Sequence, residues 1–387
     1  MHEKPGSCCV IGGGVIGSWA ALHLLEAGVP TTLIEQFPLP HSRGSSHGGS
    51  RAFRFLGDDP LARLEYSMDR WQALEAQEPE GARRLFVQTG LLNFGPAGDP
   101  YLDKYISVVR RGGRVVDWLE ADEIAQQFPG TVYPLEWGAA WDPGGGMLLA
   151  GKCVAAIQAR FLAMGGHLLN ASVMSVTDEG ADVEVEVRSP SASAPEFLRF
   201  GKAIACAGPW TAKLFPTLTS VLKTVKIPVT YWDDPTDTYS AAKGFPILFN
   251  ARLADVYGFP SYEYPGLVKI LVHDGAETHP DSRDLADLQP YIDTASAYVR
   301  EHLPLLVSDR PAILEPCMYT VTPDESPIMD RLTPNVVVGC GYSGSGFKHS
   351  PASGHLLAAM AMGRENTLPA GFNSEDFALA RFAGLGD

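Results

Sequence analysis

Three glycines near the amino end, Gly12, Gly14 and Gly17, are spaced as G-x-G-x-x-G, and an acid, Glu35, closes the next apolar run. Residues of these types, so spaced, can hold a dinucleotide. Gly12 permits a tight strand-to-helix turn, Gly14 lets backbone approach a pyrophosphate, and Gly17 lets helix and strand pack closely. The anion would sit on the free N–H groups and positive dipole end of the helix. Glu35 would accept hydrogen bonds from ribose hydroxyls. In a chain with 40 glycines the spacing alone says little. Its surroundings agree with it: an apolar run from Cys8 precedes it, and a helical pattern follows with Ala20, Ala21, Leu24 and Leu25 on one face. Gly28 stops that helix, and Thr31 to Ile34 read as a second strand.

A second group is cationic. His41, Arg43, His47, Arg51 and Arg54 crowd into the polar, glycine-rich stretch 36–60. One reading is a solvated basic loop; the other is a loop that covers a cofactor with its side chains turned inward. Arg51 and Arg54 are three apart, so on a helical turn they share a face, and a guanidinium fork there suits a substrate carboxylate. Lys269 lies in the apolar run Leu267 to Val272. Alternation puts it on the face of Leu267 and Leu271, where an ammonium is costly unless paired or used. Snorkelling from an edge strand is the alternative. A third group is Gly339 to Gly346, a glycine-rich turn between a buried strand at Val336–Val338 and a helix from about Phe347 to Met362. The positive end of that helix would stabilise negative charge appearing on a group set against it.

These groups need elements to position them. Helices are expected over 61–80, 100–112, 120–127, 151–164 and 285–303, and β-structure over 85–94, bent at Gly90. Strands are expected at 167–176 and 181–187, with 189–196 as a hairpin tip. Gly144 to Gly146 resemble a phosphate loop, but Asp142-Pro143 before them favours a turn leading into a helix. Phe200 to Trp210 is an apolar strand ending in Gly208-Pro209. From 217 to 316 short, aromatic, turn-punctuated runs suggest an antiparallel sheet in a second domain.

Bulk properties narrow the classes. With 387 residues and 45% hydrophobic content the chain can bury a large core and form two domains. A net charge of −15 argues against nucleic-acid and anionic-membrane surfaces. No signal peptide, membrane span or peroxisomal C-terminal tripeptide is expected, so the expected location is cytoplasmic. The six cysteines lack CxxC spacing, so no zinc site or disulfide framework is indicated and no metal is expected.

Taken together, GGGVIG at 12–17, EQFPLPHSRGSSHGGSR at 35–51, AGPWT at 207–211, YGFPSYEYPGLVK at 257–269, CMYTVTPDE at 317–325 and GYSGSGFK at 341–348 resemble the monomeric sarcosine oxidase family, especially its L-pipecolate oxidase (peroxisomal sarcosine oxidase) branch. The resemblance implies an α/β, two-domain fold: a glutathione-reductase-like FAD-binding Rossmann domain (1–88, 145–216 and 318–387) and a second, mostly antiparallel-sheet substrate domain (89–144 and 217–317). It implies FAD bound covalently through Cys317, which composition alone would read as a small buried residue. The FAD-binding positions carried over are Gly12, Gly14, Val15, Ile16, Gly17, Glu35, Gln36, Arg43, Ser46, His47 and Arg51, then Val173, Ala207, Gly208, Trp210, Cys317 and Met318, and finally Gly344, Ser345, Gly346, Phe347 and Lys348. Arg54 and Lys348 match the pair that binds the substrate carboxylate, and Lys269 the lysine that activates oxygen. Arg51 lies against the flavin in that family, and Tyr257, His273 and Tyr319 match substrate-pocket positions.

The implied activity is FAD-dependent oxidation of a secondary or cyclic amino acid, such as sarcosine, L-pipecolate or another N-alkyl amino acid. Hydride would pass from the carbon next to nitrogen to flavin N5, and O2 would reoxidise the flavin with release of hydrogen peroxide. The implied partners are a small amino-acid substrate and O2, and the implied state is a monomer. Two positions depart from the family pattern: Ser345 stands where a histidine is usual and Gly57 where a tyrosine is usual. Both substitutions shrink side chains near the expected cavity. Other readings of the same residues are a flavin dehydrogenase with a non-oxygen acceptor, an NAD-dependent dehydrogenase, and a dinucleotide-binding scaffold without turnover. The last has no need of Arg54, Lys269, Cys317 and Lys348 together.

Overall fold

The computed structural model describes residues 6–55, 60–79, 84–192, 194–250, 252, 255–369 and 371–384. Gly57 lies outside the described residues.

The opening apolar run becomes the strand Cys8–Ile11, buried along its whole length in the middle of a six-stranded sheet. It pairs in parallel with Thr31–Glu35 on one side and Lys202–Ala205 on the other. His167–Asn170 extends the parallel set at one edge and Val336–Cys340 at the other, where Ile328–Thr333 adds an antiparallel strand. A parallel sheet covered on both faces demands such near-continuous apolar strands. The helices Val15–Glu26 and Gly346–Met362 share one core against a face of this sheet, with Ala20, Leu24, Leu356 and Leu357 packed on Val10, Leu33 and Ile204. Gly354 allows that crossing, because a Cβ there would lie 2.6 Å from Trp19 Cβ. A three-stranded antiparallel sheet, Ser172–Asp178, Val183–Arg188 and Glu196–Phe200, packs its buried valines on the opposite face, with Cys9, Ile11 and Ile34.

Among the described residues the second sheet has nine strands. All its pairs are antiparallel except Leu91–Pro96 with Ile247–Asn250. Side-chain alternation is visible in the strand Leu267–Val272. Val268, Ile270 and Val272 pack with Tyr298 and Val299 of the helix Gln289–His302. Leu271 faces the other core, with Cys317, Tyr231 and Phe347. The long strand Ile313–Val321 pairs with Lys223–Asp233 along its length and runs unbroken through 317–318, where the expected domain division falls.

Two local expectations change. Gly144–Gly146 does not lead straight into a helix: Gly146–Leu149 is a strand, paired with Ser50–Phe53 and Phe86–Val87, and the helix begins at Ala150. The helix expected over 285–303 is present but starts later, as Gln289–His302, after a separate 3-10 stretch Pro280–Leu285. Pro290 accounts for the later start, since proline fits the first helical turn and not a helix interior. No helix among the described residues is long and apolar enough to cross a membrane.

Candidate active site

A cavity of about 770 Å³ runs along the C-terminal ends of the parallel strands, within the size range of cofactor sites. Gly12 sits at its floor with φ +103°, and Gly17 packs so close to the Gly12 carbonyl that a Cβ would overlap it. Gly14 caps the helix Val15–Glu26. Gly12, Gly14, Val15 and Ile16 line the cavity, whereas Gly17 serves the turn beneath it. Glu35 accepts from Gly13 N at 2.7 Å and Phe37 N at 2.9 Å, with His41 Nε2 3.5 Å away. Burial alone would raise its carboxyl, but His41 and the two amides outweigh it and hold Glu35 below the usual range. Gln36 lies beside it. Ser46 Oγ accepts from Val15 N at 3.0 Å, which ties the loop after Glu35 to the helix N-terminus.

Val173 and the Ala207, Gly208, Trp210 corner form the side walls, with Trp210 Nε1 donating to Asp281 at 2.7 Å. Gly344, Gly346 and Phe347 bring a second helix N-terminus to the same space. Two helix N-termini and an amide-held carboxylate on one cavity suit the pyrophosphate and ribose of a dinucleotide, so the residues present fit FAD. Among the described residues no group of three or more His, Cys, Asp or Glu side chains could hold a metal ion.

Arg51 organises the other end. Its Nη2 donates to Ser45 O at 2.9 Å and His47 O at 2.6 Å, its Nη1 to Ser50 O at 2.8 Å, and Cys317 Sγ lies 3.7 Å from Nη2. Burial would weaken this guanidinium, but Cys317 and the Tyr257, Tyr319 and Glu263 oxygens around it more than offset that and keep it charged. His47 touches the carbonyls of Gly44 and Pro316 and fastens the loop to the Cys317 strand. Met318, Arg51 and His47 line the cavity; Cys317 itself is not part of the lining and touches it through Arg51 and its neighbour Met318. Burial pushes the Cys8 and Cys340 thiols up to about 12, opposed only in part by Lys202 and Arg381 respectively.

The expected Arg51–Arg54 fork is not present. Arg51 lies in the strand Ser50–Phe53 rather than on a helical turn, so the two side chains diverge. Arg54 instead stacks over Phe249, with its guanidinium carbon 4.4 Å from the ring centroid. Phe249 stacks on Tyr257 at 5.4 Å, Tyr257 Oη lies 2.6 Å from Tyr319 Oη, and His273 closes the group at 5.8 Å from Tyr257 and 5.2 Å from Tyr319, ring to ring. Gly344 gives this group its opening onto the cavity, since a Cβ there would lie 2.5 Å from His273 Cε1 and 2.8 Å from Tyr319. Burial holds Tyr257 and Tyr319 neutral, Tyr257 at about 12 and Tyr319 well above the ordinary phenol value. Burial also lowers His273; Arg54 and Lys348 add to that, while Asp255 and Glu325 oppose it. Lys348 is buried in the first turn of the helix Gly346–Met362.

Lys269 does not snorkel. It is 3% exposed, and its Nζ donates to Ser50 O and Oγ, both at 3.2 Å, and to Glu263 Oε1 at 3.1 Å. It stands behind Ser50, next to the cavity-lining Arg51. Of the expected FAD-binding positions, Lys348, Arg43 and Ser345 also lie off the cavity lining: Arg43 pairs with Asp284 at 3.2 Å near the surface, and Ser345 turns its hydroxyl back onto Tyr342 O at 2.9 Å. Three contributors escaped the sequence reading. Gln158 donates to Gly13 O at 2.8 Å from the helix Ala150–Ala163, and its signal was a polar residue on that helix's inward face. Phe249 read only as strand. Glu263 read only as one residue of the motif YGFPSYEYPGLVK.

The family of FAD dependent oxidoreductases matches residues 7–360 of this chain. The chain is 34% identical to the peroxisomal sarcosine oxidase of Mus musculus over 97% of its own length and 96% of that protein's. It is 31% identical to the monomeric sarcosine oxidase of a Bacillus species, over 91% of each chain. Its fold is that of the L-proline dehydrogenase from P. horikoshii, with a TM-score of 0.80, 19% identity and 99% of each chain covered. The chain belongs to the family of FAD-dependent oxidoreductases, on the branch that contains the sarcosine oxidases.

Proposed function

We propose that this FAD-dependent amine oxidase acts on a secondary or cyclic amino acid and passes the electrons to O2, releasing hydrogen peroxide. The observation that carries the reading is the aromatic recess of Phe249, Tyr257, His273 and Tyr319, with Arg54 stacked at its side and Lys348 close enough to lower His273. Bound FAD would supply the acceptor for the two electrons of the C–H bond next to nitrogen. The chain's own residues do the rest. Arg54 and Lys348 attract the carboxylate and so fix which carbon faces the ring. The phenols Tyr257 and Tyr319, neutral at ordinary pH, offer hydroxyls that orient the amine without adding charge. His273, held neutral by burial, has a ring nitrogen able to take the proton that the amine must lose before its C–H bond breaks. The imine product hydrolyses in water.

Cys317 is the proposed covalent anchor for the flavin, and the protein is proposed to work as a monomer, as the name of its Bacillus relative says of that protein. The Arg51–Cys317 contact and the shared wall at Met318 support the anchor. The deciding experiment is a peroxide-coupled screen of N-methyl and cyclic amino acids beside their decarboxylated amines. Turnover that needs the carboxylate, and falls roughly 100-fold in Arg54→Met, supports the proposal. Equal turnover of acid and amine would sink it. Reduction by substrate with electrons accepted only by a quinone or dye would end the oxygen part of the reading.

A further inference from the structure

Lys269 is the inner end of a continuous row of hydrogen bonds that reaches the surface. Its Nζ donates to Glu263 Oε1 at 3.1 Å. The Tyr231 hydroxyl lies between two carboxylates, 2.6 Å from Glu263 Oε2 and 3.2 Å from Glu315 Oε2. Tyr264, 36% exposed, donates to Glu315 Oε1 at 2.5 Å. Tyr231 itself is 1% exposed. The fold is closed tightly around the inner pair, because a Cβ on Gly49 would overlap the Glu263 carboxylate, and Lys269 lies 4.8 Å from the Phe259 ring. Balancing one buried ammonium takes one carboxylate. The phenol and the second, half-exposed carboxylate add nothing to that balance, yet they complete a path to solvent.

We propose that Glu263 is a positioning residue for Lys269, and that Glu315, Tyr231 and Glu263 deliver to Lys269 the proton that oxygen reduction consumes. The proposal rests on the reading that O2 is the electron acceptor. The hydride taken from the substrate carries two electrons and one proton, whereas O2 needs two electrons and two protons to become H2O2. The second proton leaves Lys269 Nζ, which becomes a neutral amine. It is replaced when Glu315, protonated from solvent, donates to Tyr231 O while the Tyr231 proton passes to Glu263 and on to Nζ. The amine proton lost by the substrate goes to solvent, so the sum is amine plus O2 giving imine plus H2O2.

The charges facing Lys269 favour this traffic. Burial lowers Lys269 as a base, Glu263 opposes that, and Arg51 across the strand lowers it further, with the Cys317 sulfur a smaller opposing influence. Burial alone would raise Glu263, but the Lys269 charge and hydrogen bonds from Ser50, Tyr231 and Lys269 keep it ionised. Tyr231 is driven upward by burial and by both carboxylates, so it stays a phenol with a proton to pass.

Holoenzyme carrying Glu263→Gln or Tyr231→Phe tests the proposal. Glu263→Gln leaves the ammonium unpaired. Its thermal midpoint should lie below wild type near pH 7 and recover as pH rises to about 10, because the folded state then loses a charge it cannot satisfy. Adding Lys269→Met should remove the difference. Tyr231→Phe keeps the pair and cuts the row. Its anaerobic reduction by substrate should be unchanged, while reoxidation by O2 slows by roughly 10- to 100-fold with a larger solvent deuterium effect. A pH-independent midpoint gap, wild-type reoxidation in both variants, or equal slowing of both half-reactions would overturn it. Wild-type enzyme that substrate reduces but O2 does not reoxidise would end the acceptor reading, and the relay with it, while the thermal signature of the Glu263–Lys269 pair remained.

Discussion

The two ends of the cavity are built from different materials. At the Gly12–Glu35 end, recognition comes from backbone: amide N–H groups at a helix N-terminus, glycines at the closest approach, and one carboxylate held by the Gly13 and Phe37 amides. At the Arg51–Lys269 end it comes from buried side-chain charge, contributed by strands far apart in sequence and held by carbonyls, tyrosines and Glu263. The first end tolerates little change of shape but little depends on its protonation. At the second, each group depends in addition on its neighbours' charge.

Gly17→Val should separate the two most sharply. Its side chain would drive into the Gly12 carbonyl, so a destabilisation of about 3 kcal/mol or more and colourless protein are expected. A fully loaded, yellow variant would break the contrast. Lys269→Met, at the other end, should leave loading intact and slow reoxidation by O2 by roughly 10²- to 10³-fold, since one fixed cation is lost from a water-poor site. The idea fails if stopped-flow traces show flavin reduction slowed as much. Cys317→Ser should still bind flavin through the glycine end but release it on acid precipitation. Wild-type protein whose precipitate is white, with all flavin in the supernatant, would remove Cys317 from the comparison.

The smallest effect belongs to neither end. His355, stacked between His23 and Tyr66, is lowered from 6.5 to about 4, first by burial and then by His23 and Arg70. The folded state therefore binds fewer protons there than the unfolded chain. The stability it contributes is present above pH 6.5 and lost as pH falls toward about 4. Thermal midpoints of His355→Gln should vary less over that window than those of wild type, and parallel curves would refute it.

The same contrast explains what could be read in advance. The glycine end is local: strand, turn, helix and acid follow one another within a single βαβ unit, so the spacing of Gly12, Gly14, Gly17 and Glu35 already states the geometry. The face of Lys269 was legible too, because side chains alternate along any strand. Helical spacing would bring Arg51 and Arg54 together, but Ser50–Phe53 is a strand paired with Gly146–Leu149, which sends them apart. Pairing across that distance leaves no mark in the local pattern.

The sequence by itself determined the dinucleotide fold at the amino end, the two-sheet texture and the strand face on which Lys269 stands, since periodicity and glycine spacing act over a few residues. Only the tertiary structure decided what that lysine meets. Glu263 comes from a turn, Tyr231 and Glu315 from two other strands of the same sheet, and Arg51 from another sheet altogether. Side-chain charges interact through space, at a few ångströms, and chain order sets no such distance between strands.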